Sequence, residues 1–339
     1  MTDLVVIAEA GWTGGNRLAG PLGVGVAGRL ITWVGPARLA PTTGARRHVD
    51  GVLVPGLTDY HVHSALVDLP LLLRGGLTTV VDLGWVPDEI WPAVARSAEP
   101  DSGTPRILAA GPFLTATGGY PTRQSWAPAG IAWEIDDPDS AVAAVRALAA
   151  RHPVTIKVAL NADAGPVPDD ATLGAIVAQA HACGLTVTAH AQGPGQARRA
   201  LAAGVHALAH TPWTERLDDS LVAALAARVT CISTIDIHGW GADTAARQTA
   251  IDNLRRFRAA GGVVRYGTDL GNGPLPEAVN GREIAALRDA GLTGFDILVA
   301  MTRSRLRVGD VADVTTVPGD PLASPSLLAR ATPVLVSGR

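Results

Sequence analysis

Between residues 56 and 305 the chain repeats one kind of unit about eight times, and such a repeat leaves few folds open. Each unit is a short apolar or β-branched run, a loop, and a stretch rich in Ala, Leu and Arg. In DSAVAAVRALAARH and ATLGAIVAQAHACG the apolar positions suit one face of a helix. The runs read as strands are LTDYHVHS from 57, TTVVDLG from 78, RILAAGPFL from 106, TIKVAL from 155, TVTAHA from 186, ALAHT from 207, TCISTI from 230 and VVRYGTD from 263. Strands that alternate with helices pair in parallel, because the crossover needs the helix. Eight such units over about 250 residues is the size of a (β/α)₈, or TIM, barrel.

Residues 1–55 have a different texture. LVVIAEAG, LGVGVAG, RLITWVG and GVLVPG are short β-like runs between glycine-rich turns, without a helical period. After residue 305 the strands return, in VADVTTVPGD and TPVLVSG. The expected organisation is a barrel over 56–305 and a small composite β subdomain from 1–55 and 306–339. With 47% hydrophobic residues, 17% charged and a net charge of −3, the chain has an ample core and no tail of one sign, so no nucleic-acid partner is expected. MTDLVVIAEAG lacks a basic segment followed by a sustained apolar one, and no apolar run approaches a membrane span. The expectation is a cytoplasmic protein without membrane association. Cys183 and Cys231 sit in apolar sequence and are read as small buried hydrophobes without a role.

In a TIM barrel the catalytic groups gather at the C-terminal ends of the strands. Asp59-Tyr60-His61-Val62-His63 puts two imidazoles two residues apart, and the period of a strand turns both to one face, close enough to share an ion. His190 ends the fifth strand, His210 the sixth and Asp269 the eighth. A single strand-end histidine is more often a hydrogen-bonded core residue than a ligand. Four of them with an aspartate at matching positions are not explained that way. Lys157 adds to the pattern as the only lysine in the chain, placed within the apolar run Val154–Leu160. Burial there favours a neutral amine, a state that arginine could not supply.

PGLTDYHVH, IKV, TAHA, LAH and YGTD, in this order, resemble the amidohydrolase superfamily, in its imidazolonepropionase-like and prolidase-like branch. The resemblance extends to Gly75–Asp82, Ala182–Leu185, Ala290–Thr293, Ala312-Asp313 and Gly319–Pro321. It implies a metal-dependent hydrolase with two divalent ions: His61, His63 and Asp269 hold one, His190 and His210 the second, and Lys157, carboxylated by CO₂, bridges them. Zinc suits such imidazole and oxygen ligands, with manganese, cobalt and iron also open by ligand type. A pair of ions would acidify a bridging water and polarise a carbonyl, and Asp269 would move the proton from the attacking water to the leaving nitrogen. The expected substrate is a small molecule or short peptide with an amide, peptide or cyclic amide bond. Deamination, lactone hydrolysis and processing of a modified peptide are alternatives on the same ligands, and a non-catalytic metal-bound binding protein is a further one. A homo-oligomer is also implied by the resemblance.

One departure concerns the third-strand loop, Thr115–Pro121, where relatives often carry a histidine after the paired glycines and this chain has Tyr120. Its phenol is a candidate donor to a developing oxyanion, or a packing group. His238, after the seventh strand, is a candidate substrate-binding or catalytic group, or a loop cap. Trp85, Trp126, Trp213 and Trp240 are expected at the mouth, and Arg123, Arg265 and Arg282 are the candidates for a carboxylate clamp, each equally readable as a structural charge.

Overall fold

The computed structural model describes residues 2–99 and 101–338. Leu57–Val62, Leu77–Asp82 and Arg106–Ala109 pair side by side in parallel. Phe113–Thr115, Ile156–Asn161, Val187–Gln192, Ala207–Leu208, Thr230–Ile232 and Val263–Arg265 continue as a second parallel run in chain order. Two seams close the ring. At the first, Val154 N donates to Ala109 O (2.8 Å); at the second, Tyr60 N donates to Tyr266 O (3.0 Å) and His63 N to Leu270 O (2.8 Å). The fold is a TIM barrel with an additional β subdomain.

The third unit differs from its expected single strand. RILAAGPFL breaks at Gly111, whose φ of +84° is open to glycine and strained for other residues. The first half pairs with the second barrel strand, while Leu114 in the second half pairs with Val158 of the fourth. One apolar run thus serves both sides of the first seam.

Each barrel strand is followed by a helix, and the sequence marks where those helices begin. Asp68, Asp137, Asp169, Asp218, Thr244 and Asn280 each cap a helix N-terminus, their side chains accepting a backbone N–H of the first turn. The helices bury Leu72, Ile90, Val145, Ile176, Leu221, Leu254 and Leu287 against the barrel.

The subdomain holds two four-stranded sheets. One joins Leu30–Pro36, Leu22–Ala27, Leu4–Ala8 and Ala45–His48; the other joins Thr332–Leu335, Val314–Val317, Val52–Pro55 and Ala10-Gly11. Their shared core takes Val6, Val24, Ile31 and Leu53 from the early chain and Leu306, Val314 and Leu335 from the late chain. Among the described residues no helix is long and apolar enough to cross a membrane. The two cysteines part company: Cys231 is buried as expected, but Cys183 is exposed, because it caps the end of helix Asp170–Ala182 on the solvent side.

Candidate metal centre

His61 lies in the first barrel strand and His63 one residue past its end, both facing inward as the period of two requires. Asp269 reaches them from the loop after the eighth strand. Its backbone has φ +57°, uncommon for a non-glycine residue, and its N–H donates to His61 O (2.8 Å). One ligand atom from each of the three lies within 4.8 Å of the others.

The second partners of the imidazoles decide which nitrogens face inward. His61 Nδ1 stands 2.8 Å from Ala209 O and His63 Nδ1 3.0 Å from Gly84 O. A carbonyl only accepts, so both Nδ1 atoms carry the hydrogen and, in the neutral rings, both Nε2 atoms present a lone pair. Those Nε2 atoms lie 3.1 and 3.2 Å from Asp269 Oδ1, which has no partner with hydrogen-bond geometry. Two lone pairs and a carboxylate oxygen that converge at such distances repel one another unless a cation or proton sits between them. Gly84 is needed at its place, because a Cβ there would lie 2.1 Å from the Phe113 ring.

A second set forms across the fourth, fifth and sixth strands. His190 Nδ1 and His210 Nε2 face each other at 2.9 Å. Their other nitrogens meet Gln192 Oε1 (3.1 Å) and Thr234 Oγ1 (2.9 Å). Gln192 Oε1 also accepts from Asn161 Nδ2, so His190 Nε2 is the donor of that pair. Lys157 is fully buried, and its Nζ has no hydrogen-bond partner among the described residues. It stands second in its strand, and the register pairs it with Thr188 while Ala159 pairs with His190, so its backbone starts one level below the imidazole. The sequence places it within the apolar run Val154–Leu160, and the structure finds it there.

Burial sets the charges. It pushes His190 down to about 3, helped by Lys157, and holds His61 and His210 well below their ordinary value, so these rings are neutral and able to ligate. His63 is raised, because Asp269 and Asp82 outweigh its burial. Burial alone would raise Asp269, but the imidazoles of His61, His63 and His210 hold it well below the usual carboxylate range. The Lys157 amine is lowered to about 7 by burial, against the pull of Asp269 and Asp82. An orphaned buried amine, an orphaned carboxylate oxygen and four imidazoles anchored through their far nitrogens are a donor set that suits divalent metal.

Tyr120 stacks on His190 with ring centroids 5.0 Å apart, and burial raises its phenol, which stays protonated. His238 stacks on Trp213 at 4.3 Å; its Nε2 is buried without a partner among the described residues, and burial lowers the ring to about 4. Trp126 contacts His63 and Tyr120. Trp240 is exposed and donates to Asn272 O. Trp85 is not at the mouth: its indole is buried and donates to Glu89. Arg265 lies over the Tyr60 ring and bonds the Val299 and Thr302 carbonyls, while Arg282 pairs with buried Asp236. Arg123 is exposed and lies against Gly118.

Sequence reasoning missed the residues that hold the candidate ligands. Asn272 Nδ2 donates to Asp269 Oδ2 (2.9 Å). Asp82 accepts from Ser64 N, Ser64 Oγ and Gly84 N, and so ties the turn after His63 to the carbonyl that orients it. Asp59 accepts from His61 N and from Thr268 N and Oγ1, fixing the residue before Asp269. Gln192, two residues after His190, had a readable signal in the strand period, as did Asp59 before His61.

The amidohydrolase family profile matches residues 52–315 of this chain. The uncharacterized protein Rv2915c of Mycobacterium tuberculosis is 28% identical over 346 residues, covering 91% of this chain and 90% of that protein. Among solved structures, a Xaa-Pro dipeptidase with methionine bound in its active site superposes with a TM-score of 0.81 at 19% identity, covering 99% of this chain and 98% of the other. The ochratoxinase of A. niger gives 0.82 at 19% identity, covering 99% and 95%. This chain belongs to the amidohydrolase family, and with it to the hydrolases.

Proposed function

We propose that this protein is a metal-dependent amidohydrolase that cleaves a C–N bond of a small amide or short peptide, in the prolidase-like branch of its family. The observation that carries this reading is the pair of inward-facing donor sets, His61, His63 and Asp269 beside His190, His210 and Lys157, each with nitrogen or oxygen atoms that lack an acceptable partner. Zinc ions held there, with Lys157 carboxylated between them, would supply an acidified water and a Lewis acid for the substrate carbonyl.

The chain's own groups have distinct tasks. Asp269 accepts the proton given up as water attacks the carbonyl carbon and returns it to the leaving nitrogen, which departs as the amine. Asn272 holds Asp269 Oδ2 during that exchange, so that Oδ1 keeps facing His61 and His63. The Tyr120 hydroxyl, protonated and with no hydrogen-bond partner among the described residues, is a donor for negative charge growing on the carbonyl oxygen. His238 offers its unpartnered Nε2 to the substrate amide. The names of the Xaa-Pro dipeptidase and the ochratoxinase, whose fold this chain shares, favour amide and peptide bonds over the alternatives.

The test is hydrolysis of a panel of amides, dipeptides including Xaa-Pro, and cyclic amides, before and after chelation and after zinc is returned with bicarbonate. Activity that is lost with the metal and regained with zinc supports the proposal. Activity surviving complete metal removal would falsify it, and ammonia release without an acid product would redirect it to deamination.

A further inference from the structure

The protein is poor in aromatic residues, with 3 Phe, 3 Tyr and 8 Trp in 339 residues, yet four of them gather on the imidazoles of the candidate centre. Phe113 and Trp126 lie against His63, with ring centroids 6.1 and 6.2 Å away. Tyr120 stacks on His190 and contacts both Phe113 and Trp126. Trp213 meets His190 at 5.9 Å and His210 at 5.4 Å, both edge to face, and carries His238 stacked on it. There are thus two aromatic walls, one from the loop after the third strand and one from the loops after the sixth and seventh.

These walls are not sealed into the core. Tyr120, Trp213 and His238 are only partly buried, and Trp126 is 39% exposed. An indole that keeps 39% of its surface in water beside buried imidazoles leaves area that a flat ligand group can still cover. One cation shares the loop of the first wall: Arg123, exposed, lies against Gly118. Lys157 is buried among the candidate ligands, and Arg265 and Arg282 are committed to carbonyls and to Asp236. The groups in contact with the candidate imidazoles are ring faces, with the neutral side chains of Tyr120 and His238 beside them.

We infer that the substrate of this site carries a flat aromatic ring on the acyl or amine side of the scissile amide, packed against the rings of Tyr120, Trp126 and Trp213 that gather on the candidate imidazoles. Resting on the amidohydrolase reading, this narrows its substrates to aryl amides and amides of aromatic acids. A saturated ring of the same size offers similar apolar area but no π face, so the comparison of the two isolates the walls.

The experiment uses the full chain loaded with zinc and bicarbonate, titrated calorimetrically with benzohydroxamate, cyclohexanecarbohydroxamate and acetohydroxamate. The hydroxamate group engages metal in all three, and the rings differ. Benzohydroxamate is expected to bind about tenfold tighter than its saturated counterpart. Trp126→Ala and Trp213→Ala should each erode that ratio with zinc content unchanged; the Trp126 change falls on an exposed side chain and does not endanger folding. Equal binding of the flat and saturated rings, or a preference that survives both substitutions, overturns the inference alone. If none of the three probes binds the loaded protein, the metal reading and the inference fall together.

Discussion

The two halves of the candidate centre are made of different chemistry. The first, His61, His63 and Asp269, contains its own carboxylate, and its three ligand atoms already converge. The second, His190, His210 and Lys157, holds two neutral imidazoles and an unpartnered amine, and no carboxylate closes it. A doubly charged cation in the first half would have a full negative charge beside it; in the second half it would meet none unless Lys157 were converted to a carbamate. On the proposed reading, negative charge is written into one half by the sequence and would be added to the other by carboxylation of Lys157.

Removing the built-in acid should have the largest effect. Asp269→Asn is expected to lower turnover of any hydrolysed amide by about 10²–10⁴-fold, since it removes both a ligand and the proton carrier. A loss under tenfold in steady-state assays would break the assignment of that half. Lys157→Met comes next: zinc per chain, measured by elemental analysis, should fall from about two to about one and cease to respond to bicarbonate. Two zinc ions retained in that variant would mean the second half needs no added charge.

Smaller effects should respect the boundary between the halves. Asn272→Ala frees Asp269 Oδ2, and Gln192→Leu frees His190 Nε2. Each should weaken zinc at its own half by about 10–100-fold in competition with a chelator, leaving the other half unchanged. Weakening of both sites by either change would show that the halves act as one unit. The smallest effect is on stability. Burial lowers the Lys157 amine to about 7 in the fold, from its ordinary 10.5. Between those values the unfolded chain binds more protons than the folded one, so this group makes metal-free protein more stable as pH rises, with its full penalty present below about pH 7. Metal-free Lys157→Met should therefore melt above the parent below pH 7, with the gap closing as pH approaches 10.5. A constant gap in calorimetric scans would mean the amine is not buried uncharged.

How far the sequence foretold all this depended on the range of the signal. His61 and His63 were legible because a strand's period acts within three residues, and Lys157 because a lone lysine in an apolar run conflicts with its own solvation. The barrel followed from the repeat of strand and helix. What stayed hidden depends on contacts between distant segments. Asp59 and Thr268 meet across the closing seam, and Ser64 meets Asp82 across neighbouring strands. No local pattern encodes either pair. The break at Gly111 escaped because glycine within an apolar run reads equally as strand. Trp85 was expected at the mouth from its place after a strand, but its indole turns to Glu89 in the helix that follows. Cys183 looked buried by composition, whereas a residue ending a helix faces outward.

The subdomain sheet also has a consequence in time. Val52–Pro55 runs almost directly into the strand that carries His61, yet its antiparallel neighbour is Val314–Val317, some 260 residues later. The other edge of that first barrel strand waits for Leu270 and Thr302. During synthesis one edge of the strand that carries His61 can pair early with Leu77–Asp82, while its other edge stays open until residues 270–302 have been made. The candidate centre therefore takes shape only when Asp269 arrives beside His61 and His63, although those two histidines are made early.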